Sequence, residues 1–428
     1  MKLWDKGIST HKKIDRFTVG NDRELDLILV KYDILASKAH ANMLGKTGLL
    51  SEKEARELIA ALDVIAKTTE DGKFTIEEDF EDMHSKIEYM LTEMLGVTGK
   101  KIHMARSRND QVLVAMQLYV KEALSAIEKS TALLFNRLLE LAEKHKDILM
   151  PGYTHLQIAM PSSFGLWFSA YAECLIDDLH LLKAAFKVAD QNPLGSAAGY
   201  GSSFPINREL TTEELGFATM KYNVIAAQMS RGKMEKTTAF AISSIAGTLS
   251  KLAMDICLYM GQNFDFISFP DEITTGSSIM PHKKNPDVFE LIRAKCNRLQ
   301  ALPNELNLLT TNLPSGYHRD LQLAKEIIIP GIENLKACLE ITCFSLENIE
   351  VTKNILQNSL YDPIFSVEVV NEMVEKGIPF REAYQQVGKT INNGTFIPKK
   401  QVQHTHQGSI GNLCLKEIQK KMENVISL

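Results

Sequence analysis

The sequence predicts an all-α protein built on a central bundle of long helices. Apolar residues recur every three or four positions over long stretches, and clear strand alternation is scarce. The longest stretch, 107–145, contains no proline or glycine and would form a helix about 60 Å long. Such helices carry more apolar surface than one bundle covers, so we expect copies of the chain to associate in a larger helical bundle. The other long stretches are 161–191, 221–263, 286–312 and 322–350.

Two changes of pattern predict three helical domains. A glycine-bounded segment at 96–101 separates the N-terminal helices from the longest one. Beyond about residue 352 the helices become shorter, and prolines and the Asn393-Gly394 turn interrupt them. The predicted domains are 1–102, 103–352 with a functional loop at 274–286, and 353–428.

Composition excludes several classes of partner. The 428 residues carry a net charge of −5 without a basic block, so nucleic acid is not an expected ligand. The sequence contains neither a run of 18 to 20 apolar residues nor a signal-peptide core, so we expect a cytoplasmic protein that does not bind membranes. The six cysteines and eleven histidines lack the usual metal-binding spacings, so no metal or other cofactor is expected.

The loop Gly276–Pro286 has the composition of a binding site. Two hydroxyls, two ammonium groups and an amide lie within eleven residues, between a glycine and a proline. Asn285 suits a helix cap and Pro286 a first helical position, so the loop should end on a helix N-terminus, where free amides attract anions. A polar surface loop is the alternative that composition leaves open.

Three further polar clusters lie at helix ends. Residues 107–111 open the longest helix, His155 lies in a loop between helices, and 315–325 combines a tyrosine, an amide and a lysine. Each also has a simpler interpretation, as a solvated helix start, a solvated loop histidine or an amphipathic helix. We assign residues 81–84 to the surface, and the glycine-rich segment 192–201 to a turn, because it lacks the phosphate-binding fingerprint.

Taken together, these motifs resemble the fumarase/aspartase superfamily of lyases. Gly276–Pro286 matches the signature G-S-S-x-M-P-x-K-x-N-P at every specified position. The motifs S-R-N-D-Q at 107–111, T-H-L-Q at 154–157 and D-L-Q-x-x-K at 320–325 are similar to those of the argininosuccinate lyase family. Order and spacing agree from Trp4 to about residue 390.

The resemblance implies the elimination of argininosuccinate to arginine and fumarate, with no cofactor. Ser277 corresponds to the base that removes a proton beside a carboxylate. Lys283 stabilises the serine anion and, with Asn285, the charge that grows on the carboxylate, whereas His155 and Glu290 serve the acid chemistry. The substrate-binding positions are Ser107, Arg108, Asn109, Thr154, Asn285, Tyr317, Gln322 and Lys325. The resemblance also implies a homotetramer in which three chains contribute to each active site.

Several positions depart from the family pattern. Segment 17–22 lacks the family's substrate-contacting serine, and Ser230-Arg231-Gly232-Lys233 replaces S-D-R-D. Met104, Ile158, Met160 and His318 also differ from the usual residues. The alternatives are a sister lyase acting on adenylosuccinate or aspartate, a non-catalytic structural protein like some lens crystallins, and a helical binding scaffold.

Overall fold

The computed structural model describes residues 11–402 and 404–428, so Trp4 lies outside the described residues. Helices dominate the described chain, which confirms the all-α prediction. The helices are α1 (Lys12–Val19), α2 (Asp22–Lys46), α3 (Glu52–Glu70), α4 (Met83–Leu95), α5 (Val97–Lys100), α6 (Arg108–Lys144), α7 (Phe164–Ala189), α8 (Arg208–Glu214), α9 (Val224–Met229), α10 (Lys233–Tyr259), α11 (Asp287–Leu299), α12 (Leu302–Leu309), α13 (Ala324–Leu346), α14 (Ser366–Glu375), α15 (Phe380–Asn392) and α16 (Leu415–Ile426).

The long helices follow the predicted stretches with two exceptions. α6, α7 and α13 agree with prediction to within a few residues at each end, whereas the stretches 221–263 and 286–312 each form two helices. The first break is a tight turn in which Gly232 has φ +80°, and a Cβ there would lie 2.6 Å from Thr310 Cγ2. Only glycine tolerates both the positive φ and this close approach, so α10 begins at Lys233.

Short strands accompany the helices. They are β1 (Leu149–Thr154), β2 (Gln157–Ser163), β3 (Gln191–Asn192), β4 (Thr219–Met220), β5 (Ile267–Ser268) and β6 (Glu350–Val351). β1 and β2 form an antiparallel hairpin, β3 and β4 pair in parallel, and β5 and β6 pair antiparallel. The β1–β2 hairpin was not predicted, because Pro151, Pro161 and several small residues hide its alternation.

The chain divides into two compact units. Among the described residues, the first contains those up to Ile127 together with Leu181–Ser243 and Leu299–Leu335, and the second contains Glu128–His180, Ser244–Arg298 and the described part of Lys336–Leu428. A core cluster of the first unit joins Ala36, Val114, Leu194 and Phe217. One cluster of the second unit lies between α14 and α15. The predicted division into three domains stays a prediction.

One helix, α10, is long and apolar enough to cross a membrane by length and composition alone. Half of its most apolar stretch is buried inside the protein. Core helices of soluble proteins meet the same criterion, so this feature is weak evidence for a membrane span.

Candidate active site

The first unit contains a charged cavity of about 210 Å³. Its walls come from the start of α2, residues 81–84, the start of α6, the turn before α10 and residues 317–325. Five of the predicted substrate-binding residues line it. They come from two groups that lie more than 200 residues apart in the sequence. They are Arg108, Asn109, Tyr317, Gln322 and Lys325.

Hydrogen bonds fix the start of α6 at this cavity. The Ser107 amide donates to Asp110 Oδ1 at 2.9 Å, and the Asn109 amide donates to Ser107 Oγ at 3.3 Å. Asp110 Oδ2 also accepts from the amides of Gly195 and Ala197, at 3.1 and 3.0 Å. The fully buried Asp110 therefore ties the glycine-rich segment to the predicted binding motif.

Acidic residues before α4 hold the arginines of the cavity. Arg108 pairs with Glu81 at 2.9 Å and with Asp82, and Arg319 pairs with Glu81 at 3.1 Å. Burial works to raise the pKa of Glu81, but the two arginines more than offset this and lower it. The predicted surface role of residues 81–84 is wrong, since Glu81, Asp82 and His84 are each more than 90 % buried. The composition of the segment is typical of a surface turn. Arginines from distant segments offset the cost of burying Glu81 and Asp82, and His84 pairs with Asp33 at 2.9 Å.

Lys325 is the most deeply buried cation of the cavity. Its side chain is 4 % exposed, and Nζ lies 2.8 Å from both Asp22 Oδ1 and Asp26 Oδ1. Burial raises the pKa of Asp22, and Lys325 offsets only part of that shift. Two carboxylates therefore neutralise this lysine at the position where the family motif predicts a substrate contact.

The end of α1 lies against the same wall. Gln322 Nε2 donates to the backbone carbonyls of Thr18 and Val19, at 3.0 and 3.2 Å. Arg319 also donates to the Thr18 carbonyl, at 2.8 Å. The segment that lacks the family's serine thus meets the cavity through its backbone carbonyls.

Sequence reasoning missed several residues of this cavity. Neither Asp22 nor Asp26 was assigned a role from the sequence, and Arg231 was noted only as a departure from the family pattern. Arg231 is 6 % exposed, and its guanidinium carbon lies 5.4 Å from the centre of the Tyr317 ring. The spacing of four between Asp22 and Asp26, on one helix face, is the signal that could have revealed the acidic pair.

The signature loop belongs to the second unit and is largely exposed. A backbone bridge between Thr275 and Asn285 closes its base. The Asn285 side chain donates to the Gly276 carbonyl at 3.1 Å instead of capping α11. Helix α11 begins at Asp287, one residue later than predicted, because the Pro286 carbonyl accepts the first helical hydrogen bond, from Glu290 at 3.0 Å.

Ser277 Oγ accepts two backbone hydrogen bonds inside the loop. The amides of Ile279 and Met280 donate to it, at 3.4 and 3.1 Å. Donors aimed at a hydroxyl oxygen stabilise its anion, which is what a serine needs in order to act as a base. Among the residues that the structure describes, Lys283 Nζ forms no hydrogen bond or ion pair, whereas Lys284 pairs with Asp271.

The hairpin β1–β2 presents the predicted histidine. Thr154 pairs with Gln157, so His155 and Leu156 form a two-residue turn in which φ is +54° and +59°. Positive φ at both central positions is the type I′ geometry, which matches the twist of the flanking strands. The turn places Thr154 and His155 at the exposed tip of the hairpin.

Glu290 lies on the first turn of α11, beside a depression of about 600 Å³ that Lys283 and Asn285 also line. Its nearest ionic partner is Arg293, at 3.9 Å. Within residues 11–402 and 404–428, no hydrogen bond joins Glu290 to His155, and no group of three or more metal-ligating side chains occurs.

Comparisons with known proteins place the chain in a family. A family model described as lyase matches residues 7–301. The argininosuccinate lyase of Bacteroides thetaiotaomicron is 55 % identical over 99 % of this chain and 95 % of its own length. That of Thermotoga neapolitana is 42 % identical over 91 % of this chain and 98 % of its own. The chain belongs to the argininosuccinate lyase family. It is a carbon–nitrogen lyase of the fumarase/aspartase superfamily.

A solved structure supports the fold. An EDDS lyase variant with bound fumarate superimposes with a TM-score of 0.76, covering 99 % of this chain and 90 % of its own. Its sequence identity is 20 %, so the likeness concerns the fold alone.

Proposed function

We propose that this chain eliminates argininosuccinate reversibly to L-arginine and fumarate, in arginine biosynthesis in the cytoplasm. The observation that carries the proposal is the cavity of the first unit, where residues matched from two distant motifs converge. The intact loop Gly276–Pro286 and the relatives named argininosuccinate lyase support it.

The proposed reaction starts at Ser277. Its alkoxide, stabilised by the amides of Ile279 and Met280 and by Lys283, removes the proton from the carbon beside a succinyl carboxylate. Lys283 and Asn285 stabilise the negative charge that spreads onto this carboxylate. The electron pair then forms the C=C bond of fumarate as the C–N bond breaks.

The departing guanidino nitrogen gains a proton, which makes arginine the second product. We propose that His155 and Glu290 supply or orient this proton, since imidazole and carboxylate exchange protons near neutral pH. Arg108, Asn109, Thr154, Tyr317, Gln322 and Lys325 bind the substrate, and Ser107 fixes the helix start that presents Arg108.

We propose that the enzyme is a homotetramer in which three chains form each active site. Large apolar side chains on the long helices support self-association, because they are about half exposed in the single chain. They include Leu133, Leu181, Phe240, Met254 and Phe344. Light scattering should give four times the chain mass, and a stable, active monomer would contradict the shared site.

The decisive experiment supplies each candidate substrate separately and follows fumarate by its ultraviolet absorbance. We expect turnover with argininosuccinate only. Turnover of adenylosuccinate or aspartate instead would replace the proposal with a sister activity. Absence of turnover with all three would favour a structural protein on the lyase fold.

A further inference from the structure

We propose that Arg231 binds the α-carboxylate of the arginine half of the substrate; this assignment rests on the proposed function. The segment Ser230–Lys233 departs from the family pattern, and no role was assigned to Arg231 from the sequence.

The charge balance of the cavity singles out Arg231. Four carboxylates and four cations line the cavity. Glu81 and Asp82 pair with Arg108, Glu81 also pairs with Arg319, and Asp22 and Asp26 pair with Lys325. Every carboxylate therefore has a cation within 4 Å. Among the described residues, the Arg231 guanidinium forms no ion pair and no hydrogen bond, although the residue as a whole is 94 % buried.

Asp22 and the buried Glu235 attract Arg231 electrostatically, but neither forms an ion pair with it among the described residues. A buried guanidinium without an ion pair or hydrogen bond is costly, so its position at a cavity wall points to a ligand anion. Arg231 contacts the Tyr317 ring through a cation–π interaction at 5.4 Å, which orients the planar group but uses none of its N–H donors. Those donors suit the bidentate recognition of a carboxylate.

The backbone holds Arg231 in place before a ligand arrives. It lies in the turn between α9 and α10, where its amide donates to the Gln228 carbonyl at 3.2 Å. The next residue, Gly232, packs against Thr310 and donates to Glu235 Oε2 at 2.6 Å. The backbone is therefore fixed before a ligand arrives, and the Tyr317 contact restricts the side chain, so that less conformational entropy is lost when Arg231 binds a carboxylate.

The other charges of the cavity indicate which end of the substrate Arg231 binds. The succinyl half of argininosuccinate presents only carboxylates near the bond that breaks, whereas the amino-acid end carries a carboxylate and an ammonium on one carbon. A cavity with equal numbers of acidic and basic groups suits the zwitterion. Arg231 would bind its carboxylate, while Asp22 or Asp26 would meet its ammonium.

Calorimetry with L-arginine and agmatine, which is arginine without its carboxylate, tests the assignment on the whole enzyme. Wild type should bind arginine about 10- to 100-fold more tightly than agmatine. Arg231→Gln should weaken arginine by the same factor and leave agmatine and fumarate unchanged, which abolishes the discrimination. Arg231→Lys should restore part of it. Arg381→Gln, an exposed arginine on α15, should bind all three ligands as wild type does.

Three outcomes would overturn the assignment. If Arg231→Gln weakens arginine and agmatine equally, the residue supports the fold of the cavity and does not contact the carboxylate. If it weakens fumarate but not arginine, it binds the other half of the substrate. If wild type does not discriminate, no cation of the cavity binds the carboxylate. Because these measurements need no turnover, they are independent of the fumarate assay, whose failure would refute the proposed function itself.

Discussion

The cavity of the first unit and the signature loop of the second differ in the burial and pairing of their lysine side chains. In the cavity, Lys325 is almost fully buried between two carboxylates. In the loop, Lys283 is exposed and forms no side-chain bond with the residues that the structure describes. The residues that line the cavity are therefore part of the folded core, whereas the proposed catalytic groups of the loop remain accessible to substrate. Substitutions in the cavity should therefore reduce stability, and those in the loop should reduce activity.

Ser277→Ala should produce the largest effect. Loss of the proposed base should reduce kcat by about 10²- to 10⁴-fold, as removal of a general base does. The melting temperature should not change, because the hydroxyl accepts only two loop amides. The matched control is Ser278→Ala in the same exposed loop, which should keep activity of the same order. Wild-type activity in Ser277→Ala would remove this residue from the mechanism.

Lys325→Met should show the opposite pattern. It leaves Asp22 and Asp26 buried without their cation, and breaking a buried pair in this way costs about 3–5 kcal/mol. The midpoint of urea denaturation should fall accordingly. Adding Asp22→Asn should recover part of the loss, since one uncompensated charge is removed. Lys53→Met, at an exposed position of α3, is the control and should leave the midpoint unchanged. An unchanged midpoint in Lys325→Met would mean that the cavity is not part of the stabilising core.

Part of the pH dependence of stability should also arise in the first unit. His40 is fully buried, and its Nε2 contacts the Met104 carbonyl at 2.8 Å. Burial, followed by the charge of Arg106, lowers the pKa of His40 well below its ordinary value. The unfolded chain binds this proton below about pH 6.5 and the folded chain does not, so stability falls as pH drops through that range, by at most about 1.4 kcal/mol per pH unit.

Thermal unfolding between pH 7 and pH 5 measures this slope. His40→Gln keeps a donor for the Met104 carbonyl but removes the titrating group, so its slope should be smaller than that of wild type. The exposed His180→Gln should keep the wild-type slope. Equal slopes in wild type and His40→Gln would assign the pH dependence to other groups.

The same contrast explains how much could be predicted from the sequence. The period of α6 and the absence of helix breakers predicted its ends to within one residue. Motif matching identified Arg108, Tyr317 and Lys325, which the fold then brings to one cavity. The hairpin that carries His155 was missed for two reasons: prolines hide the alternation of its strands, and two non-glycine residues occupy its type I′ turn. The buried acids at 81–82 were missed because charge pairing depends on tertiary contacts, which local pattern does not contain.

The smallest effect is expected where the loop does form an ion pair. Lys284 contacts Asp271, but both side chains are more than half exposed. Exposed pairs contribute about 0–1 kcal/mol and are screened by salt. Lys284→Met should therefore shift the urea midpoint far less than Lys325→Met, and 1 M NaCl should abolish the difference from wild type. The contrary result is that Lys284→Met lowers the urea midpoint as much as Lys325→Met does, even in 1 M NaCl. The loop ion pair would then stabilise the fold as strongly as the cavity pair, and the proposed division between the two regions would be wrong.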